Sequence, residues 1–332
     1  MNYLPARPKH IQRIDRYNTL RANWDFSLKF LKTFRKNLEK SLSSNVVTVA
    51  MAGSFGRLEG CTSSDADYIL IVNDLSKASV KEDRRVLSET IRRLGAALPN
   101  KAGVFAEPRT VNQLIKNIGK TTESTDILGK RMLLLLESRP VFDDKGYEKV
   151  VSQIFNRYSE YVIREPAKEF VFLLNDLIRY FRFICVNYQS SFWRQNEQWP
   201  IRNLKLRHSR IIMYAGLLML LGETSKYEDN KKIDLVVKAL PWTPLDRIAW
   251  VYRQNKDQSF FRVAGLYDVF LSKLSDPDLR NILNNIKYDS RYSIPLFSEL
   301  KANSDALVAE LTRFIWCRRN QWSDRFFEYV IF

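Results

Sequence analysis

Gly53-Ser54, followed after ten residues by Asp65-Ala66-Asp67, is the stretch whose residue types and spacing carry chemistry. A Gly-Ser turn that opens a helix presents backbone N–H groups to an anion, and Ser54 adds a hydroxyl donor. Arg57, one helical turn further on, is placed to reach the same anion. Asp65 and Asp67, two apart at the entrance to an extended segment, point to one face. Two carboxylates held that way form a hard-oxygen site for Mg²⁺ or Mn²⁺, which keeps water and substrate phosphates as its remaining ligands. Glu107, in Val104-Phe105-Ala106-Glu107-Pro108, is the candidate third carboxylate that would complete a two-ion centre. Such a centre supports in-line displacement at the α-phosphorus of a nucleoside triphosphate, activating the attacking hydroxyl and stabilising the pyrophosphate that leaves.

Taken singly, these signals are weak. A lone Asp-x-Asp is usually a solvated strand end, and Glu107 alone is an exposed acid before a proline. Their flanks give them meaning. Val46–Ala52 and Tyr68–Val72 are short, apolar, β-branched runs that read as buried strands. The spacing of Tyr17, Leu20, Trp24, Leu31 and Leu38 predicts an amphipathic helix within 13–43. Leu87, Ile91, Leu94 and Leu98 predict a helix over 81–98, stopped by Pro99. Residues 103–111 read as a third strand weakened by Pro108. Beyond it strand signals cease, and Asp126–Glu137, Gly146–Tyr161, Pro200–Leu221, Pro244–Tyr252 and Asp305–Arg318 all read as helices.

The expected class is therefore α+β. A small mixed β-sheet core with an N-terminal helix occupies 1–143, and an all-α region over 144–332 closes a cleft upon it. The 332 residues suffice for about two domains, and 45% hydrophobic with 27% charged residues is ordinary globular composition. No run reaches the roughly 18 apolar residues of a membrane span. The three cysteines lack CxxC spacing, which fits a reducing cytoplasm and neither a disulfide framework nor a zinc site. A net charge of +16 favours polyanionic partners such as nucleotides or nucleic acid.

Met51-Ala52-Gly53-Ser54-Phe55-Gly56-Arg57 followed by Ser64-Asp65-Ala66-Asp67-Tyr68 resembles the signature of the DNA polymerase β-like nucleotidyltransferase superfamily. Within it, the likeness is closest to the protein-uridylyltransferase-like and bacterial defence nucleotidyltransferase group. Arg131–Val141 is similar to the helix that follows the catalytic core there. The specific resemblance spans Val46–Asp143, under a third of the chain. It implies two Mg²⁺ (or Mn²⁺) ions on Asp65, Asp67 and Glu107, although that group often has a less acidic third strand.

In the helical half, Arg202, Lys205 and Ser209 follow i, i+3, i+7 spacing with Arg210 beside them, and line one helix face. By likeness to two-domain nucleotidyltransferases, Lys205 and Ser209 would hold the triphosphate, assisted by Arg202 or Arg210. The alternative is a solvated basic face.

The acceptor hydroxyl stays open between three readings. Untemplated synthesis of oligonucleotides or a nucleotide signal from NTP or dNTP, as in anti-phage defence, suits the charge and the 15 tyrosines and 7 tryptophans, with nucleic acid as product or acceptor. Tyr329 is then a candidate protein primer, against the plainer reading that the apolar tail docks on the core. The others are AMPylation or uridylylation of a cognate effector or target protein, and addition to RNA ends such as tRNA.

Overall fold

The computed structural model describes residues 2–39, 41–99, 104–105, 107–164, 169–193 and 199–332. Three strands form one sheet in the order β2-β1-β3: β1 (Val46–Met51), β2 (Tyr68–Val72) and β3 (Arg139–Phe142). Both pairings are antiparallel, with Met51 opposite Tyr68 on one side and Arg139 on the other. The sheet is thus not mixed in its strands. Parallel pairing is confined to single bridges, Asp65 with Ala97 and Ile71 with Arg109.

β3 replaces the strand expected at 103–111, of which Gly103 and Ala106 lie outside the described residues. Arg109 contributes one bridge to β2, and the chain turns helical from Val111. The four-residue β3, with Pro140 inside it, carries no strand signal of its own. Pro140 is tolerated because β3 is an edge strand and needs no donor on its outer side.

The helices in chain order begin with α1 (Asn18–Leu38), the four-residue α2 (Gly53–Gly56), α3 (Ser79–Arg93), α4 (Val111–Ile115), α5 (Thr125–Leu136) and α6 (Asp144–Arg164). Leu20, Trp24, Leu31, Phe34 and Leu38 are buried along α1, as the spacing requires. α3 stops earlier than expected. Gly95 takes φ +75°, and the chain then extends so that Ala97 accepts a hydrogen bond from the Ala66 amide at 2.8 Å. α7 (Val171–Trp193), α8 (Trp199–Lys205), α9 (Ile211–Thr224), α10 (Asp229–Ala239), α11 (Pro244–Gln254), α12 (Phe260–Ser275), α13 (Pro277–Asn284), α14 (Pro295–Trp316) and α15 (Asp324–Ile331) complete the chain.

By compactness the chain divides into one unit of Met1–Arg7, Ala22–Asp176 and Asp229–Thr243, and a second of Pro8–Arg21, Leu177–Glu228 and Pro244–Phe332. The first unit therefore continues past residue 143 through α6 and takes back α10. Its helical core is tied by a buried network. Arg131 of α5 donates to the Tyr158 hydroxyl, the Leu114 carbonyl, Glu123 and Asp176, all with its guanidinium out of solvent. No helix among the described residues is long and apolar enough to cross a membrane.

In the second unit, α9 is buried nearly throughout, and Gly222 lets the Trp322 ring lie against it. A Cβ at Gly222 would meet two ring carbons at 2.4 Å. The ring cannot swing aside freely, because its Nε1–H donates to buried Glu223 at 3.0 Å. Alanine normally favours a helix over glycine by about 1 kcal/mol, but overpacking of a fixed ring typically costs about 1–3 kcal/mol. Gly222→Ala should therefore lower the urea midpoint; an unchanged or raised midpoint would show the ring is not fixed.

Candidate active site

Residues 51–67 fold back on themselves around the end of β1. The Ala52 amide donates to the Asp67 carbonyl at 2.8 Å, extending the β1–β2 ladder by one rung. Gly53 then turns the chain into α2 with φ +62°, a conformation that costs a non-glycine residue roughly 1–2 kcal/mol. A Cβ there would lie 2.7 Å from Asp67 Oδ2. The Asp67 carboxylate thus rests directly on the Gly53 turn, and only glycine leaves room for it.

The loop between the two motifs is held at several points. Phe55 stacks on Phe30 of α1 with ring centroids 4.1 Å apart, and the Gly60 amide donates to Ser27 Oγ at 2.8 Å. The Ser64 hydroxyl accepts from the Cys61 amide at 3.0 Å. Asp65 pairs through its backbone with Ala97. Its side chain is exposed, that of Asp67 is half-buried, and Ala66 between them is fully buried. This is the alternation of an extended segment, with both acids on the side away from Ala66. Ser54, half-buried, opens α2 beside them.

Arg57 does not join this group. Its Nε–H donates to Glu59 at 2.6 Å and its Nη1–H to Glu137 at 2.7 Å, with side-chain exposures of 6%, 3% and 0% for the arginine and the two acids. The other oxygen of Glu137 accepts the Gly53 amide at 2.9 Å. The expected anion contact of Arg57 is therefore replaced by an ion-paired clamp beneath the turn. Beside it, Arg139 donates to the Gly56 carbonyl at 2.8 Å and to the Tyr3 carbonyl. Glu137 and Arg139 carry a sequence signal that residue spacing around the motif does not show: a charged pair at the end of the apolar run Met132–Leu136 needs buried partners.

Glu107 is likewise placed elsewhere. Its exposed carboxylate pairs with Arg84 of α3 at 3.3 Å, and with Arg84, Phe105 and Pro108 it borders a small hollow against Tyr68 and Leu70. Tyr68 and Leu70 alternate with Asp67 and Ile69 along the chain, so this is the opposite face from Asp67. Among the described residues no group of three or more His, Cys, Asp or Glu side chains is assembled to hold a metal. Asp65 and Asp67 lie on one side of their segment, and Glu107 pairs with Arg84 on the other.

No protein-family model and no curated protein matches this chain.

In the second unit, Arg202 and Lys205 lie on α8, half-buried. A π-helical turn, Leu206–Arg210, joins α8 to α9. Its wider winding interrupts the α-helical spacing that aligned Lys205 with Ser209. Ser209 is buried and its Oγ accepts from the Tyr267 hydroxyl at 3.2 Å, while Arg210 is half-buried. His208 is buried with Nδ1 at 2.8 Å from the Leu204 carbonyl and Nε2 at 2.9 Å from Asn303, a structural placement. Tyr329 is half-buried on α15, beyond the buried cluster of Trp322, Phe326 and Phe327.

The Gly53 geometry supplies a direct test. Gly53→Ala must either strain the turn or displace Asp67. Thermal unfolding should shift down by roughly 1–3 kcal/mol of stability, and any activity that depends on Asp67 should fall further than the stability loss explains. A variant with unchanged stability and activity would mean that Asp67 is not held against this turn.

Proposed function

We propose that the chain is a metal-dependent nucleotidyltransferase that joins nucleotides from NTP or dNTP without a template. The observation that carries this reading is the contact of the Asp67 carboxylate with the Gly53-Ser54 turn, with Asp65 on the same side. A nucleoside triphosphate bound at the turn would bring its phosphates to Ser54 and to both acids. Asp65 and Asp67 would hold Mg²⁺, an ion commonly bound by one or two carboxylates with waters and substrate phosphates. When bound, that ion supplies charge neutralisation at the reacting phosphoryl group and lowers the pKa of the acceptor hydroxyl. Ser54 would donate to a phosphate oxygen. The Arg57–Glu137 clamp fixes the turn, so the donors need no reorganisation on binding.

Two observations favour an oligonucleotide acceptor over a protein one. The net charge of +16 suits repeated phosphate contact. In the second unit Arg291 packs over the Tyr288 and Tyr292 rings at 3.6 and 4.7 Å, with Trp199 edge-on to Tyr288 at 4.9 Å. Tyr292 is 59% exposed, which leaves a ring face for a base.

Purified protein incubated with each labelled NTP and dNTP plus Mg²⁺ tests the proposal. A product ladder without added acceptor is the expected result. Label appearing only on a partner protein or on tRNA would replace the acceptor, and no label anywhere would overturn the transferase reading.

A further inference from the structure

Arg291 opens the 3₁₀ turn Arg291–Ser293, which leads into α14 in the second unit. A half-buried arginine needs its charge offset, and elsewhere in this unit acids do so. Arg207 pairs with Asp305, Arg262 and Arg313 with Glu310, and Arg319 with Asp324. Arg291 is held differently. Its guanidinium lies over three rings, 3.6 Å from the centroid of Tyr288, 4.7 Å from Tyr292 and 5.6 Å from Trp199. Among the described residues no carboxylate pairs with it, exposed Asp289 two residues earlier included.

The donors of this guanidinium are largely unspent. Nη1 donates to the Tyr288 carbonyl, Nε–H is buried without an acceptor, and Nη2 makes no hydrogen bond to a described residue. The rings fix its direction before any ligand arrives. Trp199 meets Tyr288 at 73° with centroids 4.9 Å apart, and α8, which carries Trp199, packs on α13 and α14. Stacking on ring faces leaves the in-plane donors of a guanidinium open, and their fork matches the oxygens of a phosphate. Tyr292 meets Phe297 at 74°, yet 59% of its surface still reaches solvent.

A simple anion would use the guanidinium and leave the exposed ring idle. A nucleotide strand uses both, and stacking on an aromatic side chain is worth about 1–3 kcal/mol per base. In a duplex the base faces are already covered by their neighbours, so an open ring favours a single strand. The surroundings agree in sign. Lys287 is exposed in the same connection, Arg202 and Lys205 follow Trp199 along α8, and the whole chain carries +16. We propose that Trp199, Tyr288, Arg291 and Tyr292 form a binding site for single-stranded nucleic acid, with a backbone phosphate on Arg291 and a neighbouring base on Tyr292. The site deepens the transferase reading, on which it rests for the origin of the strand, but binding itself needs no catalysis.

The test is fluorescence anisotropy of labelled oligo(dT) and oligo(U), each of about 12 nucleotides, with the full chain carrying Asp65→Ala and Asp67→Ala so that nothing turns over. One or both strands should bind with a Kd on the order of 10 µM at about 50 mM salt and more weakly as salt rises. Tyr292→Leu keeps an apolar side chain against Phe297 but removes the flat ring. It should weaken the strand at least about 5-fold and leave a duplex of the same length unaffected, while Tyr292→Phe binds like the parent. Arg291→Gln should lower the slope of log K against log salt by about 0.7, and decides the matter should Tyr292→Leu fail to fold. No strand binding at low salt, binding or slope unchanged in these variants, or an equal loss for strand and duplex would overturn the site. A nucleotide ladder from the parent chain without strand binding would overturn this site alone; strand binding without a ladder would overturn the transferase reading alone.

Discussion

Asp67→Asn, and Asp65→Ala combined with Asp67→Ala, should abolish nucleotidyl transfer in the labelled-nucleotide assay while the protein stays folded. Asparagine keeps the shape that fits over Gly53, where Asp67 Oδ2 lies 2.7 Å from the position of a would-be Cβ. What it loses is the negative charge on which a divalent ion depends. Loss of a group that merely orients a metal ligand typically costs about 10–100-fold. Removal of a ligand itself should exceed that, so product should fall by more than about 100-fold. The Asp65 change alone should barely move stability, since Asp65 is exposed and surface substitutions usually stay within about ±0.5 kcal/mol, whereas half-buried Asp67 should cost on the order of 1 kcal/mol. Circular dichroism and thermal melts run beside the assay separate lost chemistry from lost fold. Ladder synthesis surviving in the double variant would overturn the active-site assignment.

Arg57→Met should act in the opposite sense, costing stability more than binding. Arg57 lies between two buried carboxylates, Glu59 at 2.6 Å and Glu137 at 2.7 Å. Removing one partner of a buried ion pair typically costs about 3–5 kcal/mol, because the remaining charge is left without compensation. For a chain of this size the melting temperature should drop by on the order of 10 °C. Changing Glu59 and Glu137 to glutamine in the Arg57→Met background should recover part of that loss, since neutral amides need no cation. If Arg57 were instead a phosphate ligand, the single variant would melt like the parent and show only a raised KM for nucleotide. That outcome would remove the clamp from the account of how the turn is held.

Much of the scaffold was legible because its signals are local. The β-branched runs of β1 and β2, the spacing along α1 and the apolar run of α5 each depend on neighbouring residues and a single period. The presence of β3 was not. The end of α3 is local as well: Gly95 at φ +75° closes the helix, its amide donating to the Arg92 carbonyl at 3.0 Å and the Ala96 amide to the Ile91 carbonyl at 3.3 Å, a glycine stop that the leucine spacing through Leu98 overrode. β3 forms because β1 offers a free edge, a fact about another segment.

The same division runs through the candidate site. By itself the sequence determined that Gly53-Ser54 and Asp65-x-Asp67 lie between two buried strands, because alternation along an extended chain and a glycine turn are properties of adjacent residues. Only the tertiary structure decided which charged groups accompany them. Arg57 is drawn under the turn by Glu137, 80 residues along the chain. Glu107 is held by Arg84 on the face of Tyr68, away from Asp67. A long charged side chain goes where a partner of opposite sign offsets the cost of its desolvation, and that partner is set by packing between distant segments, which residue spacing does not encode.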